Sequence, residues 1–236
     1  MASQRSVASL PMNFKPKADV ELQIKAIQQP SYIELDPAES ARVAHAKELL
    51  GNSYQRSVVR HGEQVQVEDY KQFINQWLIG HLSDKWKPQS RRIADAIMDE
   101  SQRYAFDPIF LMAVIENESK FNPDIVGTSG ELGLMQILPD TGKWIATKFD
   151  FKWKGPASLK DPVTSIRIGS AFLAHLRERF DFHGRLYLAA YNMGIRNVNR
   201  NLARQVWPKT YSNRVMAKYI HFYTEVTDSS KIASAN

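Results

Sequence analysis

Asp107-Pro-Ile-Phe-Leu-Met-Ala-Val-Ile-Glu-Asn-Glu-Ser119 is the stretch that decides how this chain is read. Asp107 followed by Pro108 is a helix opening: the carboxylate caps free N–H groups, and proline is preorganised for the first helical position. Leu111, Val114 and Ile115 then form an apolar stripe. Glu118 falls seven residues after Leu111 and four after Val114, so it continues that stripe. Glu116 lies two residues away, roughly 200° around the helix, and faces elsewhere. A carboxyl group at the end of an apolar face is partly desolvated, which disfavours the anion and raises its pKa. A glutamic acid still protonated near neutral pH can donate a proton to a glycosidic oxygen. Most helical glutamates are simply solvated, so the stripe alone leaves both readings open.

Working outward, helical signals dominate. Asp161-Pro162 repeats the helix-opening device, and the helix it starts carries Val163, Ile166, Leu173 and Leu176. Ser90 is positioned to cap a helix with Ile93, Ile97 and Met98 on one face, ending near Ala105. The last helix, from about Ser212 to Val226, presents Val215, Tyr219, Phe222 and Val226. Gly127, Gly130, Gly133 and Gly155 punctuate the long stretch between. Upstream, a helix is expected from Pro37 to Leu50, stopped by Gly51, and another from Tyr70 to Leu82. Val58-Val59 and Val65/Val67 around Arg60-His61-Gly62 suggest a short hairpin. Four of the eleven prolines lie in the first forty residues, which read as an arm. The expected organisation is an arm or linker over 1–38, a helical extension over 39–86, one all-α domain over 87–228 and a tail over 229–236.

The 236 residues include 31 Lys+Arg and 25 Asp+Glu, a net charge of +6, with 43% hydrophobic and 24% charged residues. That is the composition of an ordinary globular protein. The surplus of positive charge suits an anionic polymer such as nucleic acid or bacterial wall material. There is no cysteine, which excludes disulfides, thiolate catalysis and Cys-ligated zinc or iron–sulfur sites. The longest apolar runs, Ile109 to Ile115 and Leu186 to Ile195, fall well short of the roughly 18 residues a membrane helix needs. The six histidines show no His-x-x-x-His pair, so a metal site has little support. No glycine-rich loop leads into Gly-Lys-Ser/Thr, and Gly127-Thr-Ser-Gly130 is not in the nucleophile-elbow frame. The Arg-rich runs Arg91-Arg92 and Arg196 to Arg204 read as solvated helix faces rather than a nucleic-acid surface.

Glu118-Ser119 is followed by Gly133-Leu-Met-Gln136, by Ala190-Tyr-Asn192, and by Tyr211 in Tyr-x-x-x-Val215. This set, in this order, resembles the soluble lytic transglycosylase (SLT) family, whose fold is related to goose-type lysozyme. The resemblance covers about Ser90 to Tyr223. Trp207-Pro-Lys-Thr210 stands where the family has an acidic residue and threonine before its tyrosine, which leaves Tyr219 as the alternative to Tyr211.

The resemblance implies an all-α, lysozyme-like domain that cuts the β-1,4 bond between N-acetylmuramic acid and N-acetylglucosamine in peptidoglycan. Glu118 would protonate the leaving oxygen and then deprotonate the muramic C6 hydroxyl. That hydroxyl attacks internally, with the advantage of intramolecular geometry, and leaves a 1,6-anhydro ring. Gln136 and Asn192 would hydrogen-bond the sugar, Met135 offer it an apolar surface, Tyr191 wall the groove and Tyr211 hold the Glu118 rotamer. Ser119 would anchor the helix end or the carboxylate. No cofactor is implied. The expected partner is the glycan strand, and the expected location is the periplasm or cell envelope, with no export signal visible after Met-Ala-Ser-Gln-Arg. A hydrolytic lysozyme of the same fold would need a second carboxylate, for which Asp124 and Glu131 are the candidates. A non-catalytic wall-binding module is the other alternative.

Overall fold

The computed structural model describes residues 37–50 and 67–234. Residues 1–36 of the expected arm and the Val58–Val65 part of the expected hairpin lie outside the described residues, while residues 37–38 open the first helix. The described residues form nine α-helices: α1 Pro37–Leu50, α2 Val67–His81, α3 Ser90–Arg103, α4 Pro108–Ser119, α5 Pro139–Lys148, α6 Pro162–Arg179, α7 Gly184–Met193, α8 Ile195–Ala203 and α9 Thr210–Ser234. Two 3-10 turns, Lys87–Gln89 and Pro156–Lys160, complete the list of regular elements. Among the described residues the only β pairing is a set of isolated bridges, Val126 with Leu132 and Leu132 with Ile137. The expectation of an all-α fold holds for the described residues.

The sequence reading gave α4 one apolar stripe; instead it is the axis of the molecule, and every residue from Pro108 to Ile115 is buried. Its neighbours are α9 along its length, α3, and α2. A helix that is apolar all round belongs inside a core. Only its last turn reaches the surface, where Glu116 pairs with Lys218 of α9 at 3.6 Å. Asp107 caps it, accepting from the Ile109 N–H at 2.9 Å. Asp161 caps α6 in the same way through the Thr164 N–H at 2.9 Å.

Three other expectations need correction. Ser90 is the first residue of α3 rather than its cap, because the 3-10 turn Lys87–Gln89 runs directly into the helix. Val67 opens α2 and so belongs to a helix, not a hairpin. The last helix continues beyond Val226 to Ser234.

Helices α1 and α2 share the core through Ala46, Tyr70, Ile74 and Leu78. Their contribution is also polar. Arg42, His45 and Glu48 recur every third residue of α1 and so project from one side of it. His45 Nδ1 accepts the Asp107 N–H at 3.1 Å, so the proton sits on Nε2 and is donated to the Tyr187 hydroxyl at 3.2 Å. Asp107 Oδ2 accepts from the Tyr219 hydroxyl at 2.8 Å and pairs with Arg42 at 3.5 Å. Glu48 takes Arg177 at 2.9 Å, and Arg177 also donates to the carbonyls of Tyr104 and Ala105, just ahead of α4. This buried network fastens α1, α6, α7 and α9 to the opening of α4.

Burial, with the nearby Arg177 guanidinium as a smaller cause, holds the His45 pKa well below the ordinary 6.5. An unfolded chain binds a proton on this histidine below 6.5 while the folded chain does not, so the stability present above that pH is lost as pH falls. Thermal unfolding from pH 8 to about pH 5, above the range where carboxylates dominate acid denaturation, should show a falling Tm below 6.5. His45→Gln should be less stable at pH 8 by about 1–3 kcal/mol and show a flatter pH dependence. An unchanged slope in that variant would remove His45 as its source.

Candidate active site

Beyond Ser119 the chain reverses sharply. Lys120 and Phe121 both take left-handed backbone conformations, at φ 49° and 54°, and Phe121 is buried against Trp77. The chain then folds into a compact loop. Gly127 and Glu131 are joined by a backbone hydrogen bond of 2.8 Å, and Leu132 and Ile137 exchange two of 3.0 and 3.1 Å. Gly133 begins the turn with φ 74°, and a Cβ there would sit 1.9 Å from the Leu159 carbonyl oxygen, so only glycine fits. The loop closes over the end of α4, and the end of α7 faces it.

Between them lies a cavity of about 490 Å³ whose lining includes Glu118, Glu131, Gln136, Phe172, Tyr191 and Asn192. Glu118 stands at the surfacing end of α4 and is partly buried. The Tyr211 hydroxyl, from the first turn of α9, donates to Glu118 Oε1. The Asn117 side chain and the Arg214 guanidinium both lie close enough to favour the Glu118 anion. Burial nevertheless prevails and raises the Glu118 pKa above 4.5, with the Glu131 charge adding in the same direction. Burial pushes the Tyr211 and Tyr191 phenols well above 10, so both remain neutral donors. Tyr191 spends its proton on the Met135 carbonyl at 2.8 Å, which ties α7 to the loop.

The residues singled out in sequence separate into two groups. Glu118, Gln136, Tyr191 and Asn192 line the cavity, and Tyr211 reaches it through Glu118. Gln136 holds a left-handed backbone at φ 47°, and its amide nitrogen donates to the Gly133 carbonyl at 3.0 Å. A Cβ on Gly127 would lie 2.3 Å from Glu131 Oε2 and 2.7 Å from Gln136 Oε1, so these side chains converge over a residue that has none. Met135 and Ser119 are placed otherwise. Met135 is fully buried, with its sulfur 4.0 Å from the Ser170 hydroxyl, and offers no surface to the cavity. Ser119 is 2% exposed and donates back to the Ile115 carbonyl at 3.1 Å. Its hydroxyl anchors the helix end rather than the carboxylate. Tyr219, the alternative to Tyr211, is committed to Asp107 at the far end of α4.

Of the two candidate second carboxylates, Asp124 is held outside the cavity by Lys85 at 2.8 Å and Trp86 at 2.9 Å. Glu131 is inside it, with Oε2 accepting the Ser129 N–H at 2.9 Å. Asn117, Arg214 and Phe172 were not anticipated. Arg214 had a usable signal, since it lies one turn after Tyr211 on the same helix. Phe172 had none, because an aromatic residue within α6 reads as core. Among the described residues no group of three or more His, Asp or Glu could hold a metal ion. No helix there is long and apolar enough to cross a membrane.

Residues 95–213 match the family described as the transglycosylase SLT domain. The soluble lytic murein transglycosylase of Escherichia coli (strain K12) is 27% identical over 207 residues, covering 78% of this chain and 32% of that protein. Membrane-bound lytic murein transglycosylase C of Edwardsiella ictaluri is 32% identical over 121 residues, covering 48% of this chain and 34% of the relative. The X-ray structure of an inactive mutant of lytic transglycosylase Slt from Pseudomonas aeruginosa shares the fold, with a TM-score of 0.53 at 21% identity over 82% of this chain and 38% of that one. The chain thus spans about a third of the length of these curated relatives.

The electrostatics of the pair can be measured directly. In ¹³C-carboxyl NMR titrations Glu118 should titrate above the ordinary 4.5. Glu131→Gln removes a like charge and should lower that midpoint, whereas Tyr211→Phe removes a donor to the anion and should raise it. Opposite movement in either variant would refute this account of the site.

Proposed function

The chain belongs to the transglycosylase SLT domain family, and on that premise we propose that it cleaves the MurNAc-β-1,4-GlcNAc bond of peptidoglycan with Glu118 as the single acid and base. The observation that carries the reading is one desolvated carboxyl group, facing a cavity and held by a buried tyrosine. Desolvation keeps the proton on Glu118 at higher pH than usual, which suits donation to the departing glycosidic oxygen. The anion left behind is stabilised by Tyr211, Asn117 and the Arg214 charge, which are already in position. As a carboxylate, Glu118 then takes the proton of the muramic C6 hydroxyl. That oxygen bonds to the anomeric carbon, and the product ends in a 1,6-anhydro ring without consuming water. Gln136 and Asn192 line the cavity as hydrogen-bonding groups for the sugars, and Tyr191 braces its wall.

The relatives' names place murein as their substrate and describe soluble and membrane-bound forms. We extend this to the present chain as glycan-strand binding in the periplasm or cell envelope, without a cofactor.

A hydrolytic reading has one observation in its favour: Glu131 shares the cavity with Glu118. Its oxygen is engaged by the Ser129 N–H, which supports a part in shaping the loop rather than in activating water.

Digestion of purified peptidoglycan separates these readings. Glu118→Gln should fold like the parent and lose turnover by about a thousandfold. Asp124→Asn should be within about twofold of the parent, as expected for a surface change outside the cavity. Soluble products should be one water lighter than hydrolytic fragments. Products of full hydrolytic mass that disappear with Glu131→Gln would establish the lysozyme instead.

A further inference from the structure

An aromatic run extends from the wall of the cavity. Phe172, on its wall, packs 5.4 Å from the Tyr191 ring on one side and 6.3 Å from the Trp144 ring on the other. Trp144 in turn meets His175 edge to face at 5.1 Å. Helix α5 explains the direction of this run. Gly142, Ile145 and Ala146 turn inward and are buried. Leu138 and Thr141 border the cavity, and Trp144 comes next along the same ridge at the three-residue spacing of a helix face. One further turn along, the Lys148 ammonium sits 5.8 Å from the Trp144 ring. Trp144 is therefore about one helical turn, roughly 5 Å, beyond the cavity rim, a step comparable to one pyranose ring. Trp144 is 45% exposed even with its ring contacts to Phe172 and His175.

We propose that the glycan groove continues out of the cavity along this face of α5, and that Trp144 is the platform on which a sugar distal to the cleaved bond stacks. The inference rests on the glycan reading of the site and adds to it a length-dependent affinity. The occupant is a β-1,4-linked N-acetylhexosamine chain, because the ridge is continuous with the cavity that takes the scissile bond. Pyranose rings carry apolar C–H faces that match an indole, while their hydroxyl and acetamido rims stay in water. Trp144 touches no reacting atom in this scheme; it sets how strongly long strands are held.

The test uses the full chain carrying Glu118→Gln, so that nothing is cut, and isothermal titration with N-acetylglucosamine tetramer and hexamer. The hexamer should bind roughly tenfold more tightly than the tetramer. Adding Trp144→Ala should abolish most of that gain while leaving the tetramer within about twofold, and Trp144→Tyr should restore most of it. An equal loss for both lengths would mean that Trp144 only supports the fold, and no loss for either would mean that the strand runs elsewhere; each overturns the inference. Binding of neither oligomer by the Glu118→Gln parent would overturn the glycan reading itself, which separates the two failures.

Discussion

Helix α4 surrounded by other helices is the constraint on which the rest of the molecule depends. Because Pro108 to Ile115 are buried on all sides, the helix can release a polar residue to the surface only in its final turn. Glu118 emerges there with its carboxyl half enclosed, and the enclosure perturbs its proton affinity. A freely solvated helix would present the same glutamate as an ordinary anion. Tyr211 completes the arrangement from α9, the helix packed along α4, so the partner of the carboxyl group is delivered by the same packing that buries it.

The opposite end of α4 is secured with polar groups. The Asp107 carboxylate caps the helix while also receiving Tyr219 and Arg42, and the Asp107 N–H donates to His45. Each buried member has a partner, which a low-dielectric interior requires. The two ends of one helix therefore carry contrasting electrostatics. At the start a carboxylate is fully buried among donors; at the finish a carboxyl group held by Tyr211 faces a cavity, and burial outweighs its donors. Helix α1 takes part only at the start, which gives the segment before the SLT match a structural role in positioning the axis of the fold.

Much of what was legible in the sequence followed from local chemistry. Asp-Pro at 107–108 and at 161–162 marked two helix openings, and the spacing of Glu118 from Val114 placed it on a packed face. Gly133-Leu-Met-Gln136 and Ala190-Tyr-Asn192 pointed to the groove through their resemblance to the SLT family rather than through local chemistry. The burial of Met135 was not legible, since a methionine next to a cavity-lining residue, Gln136, reads equally well as surface or as core. For Ser119 the sequence offered the helix end or the carboxylate, and the structure selects the helix end. The polar network on α1 was also out of reach, because His45 and Tyr187 lie 142 residues apart and nothing local links them. Glu131 and Asp124 both stood as candidate second carboxylates near the motifs. Only the fold distinguishes the one inside the cavity from the one bound by Lys85 and Trp86.

The central claim is that one carboxyl group, Glu118, handles the proton in both directions while the sugar's own hydroxyl replaces water as nucleophile. Digestion of peptidoglycan in H₂¹⁸O tests it most directly. The account predicts that newly formed muramic ends carry no ¹⁸O, because the oxygen joining the anomeric carbon comes from C6 of the same sugar. One ¹⁸O per cleaved bond would contradict it, and would place a water molecule, with Glu131 as the nearest candidate to activate it, at the centre of the reaction.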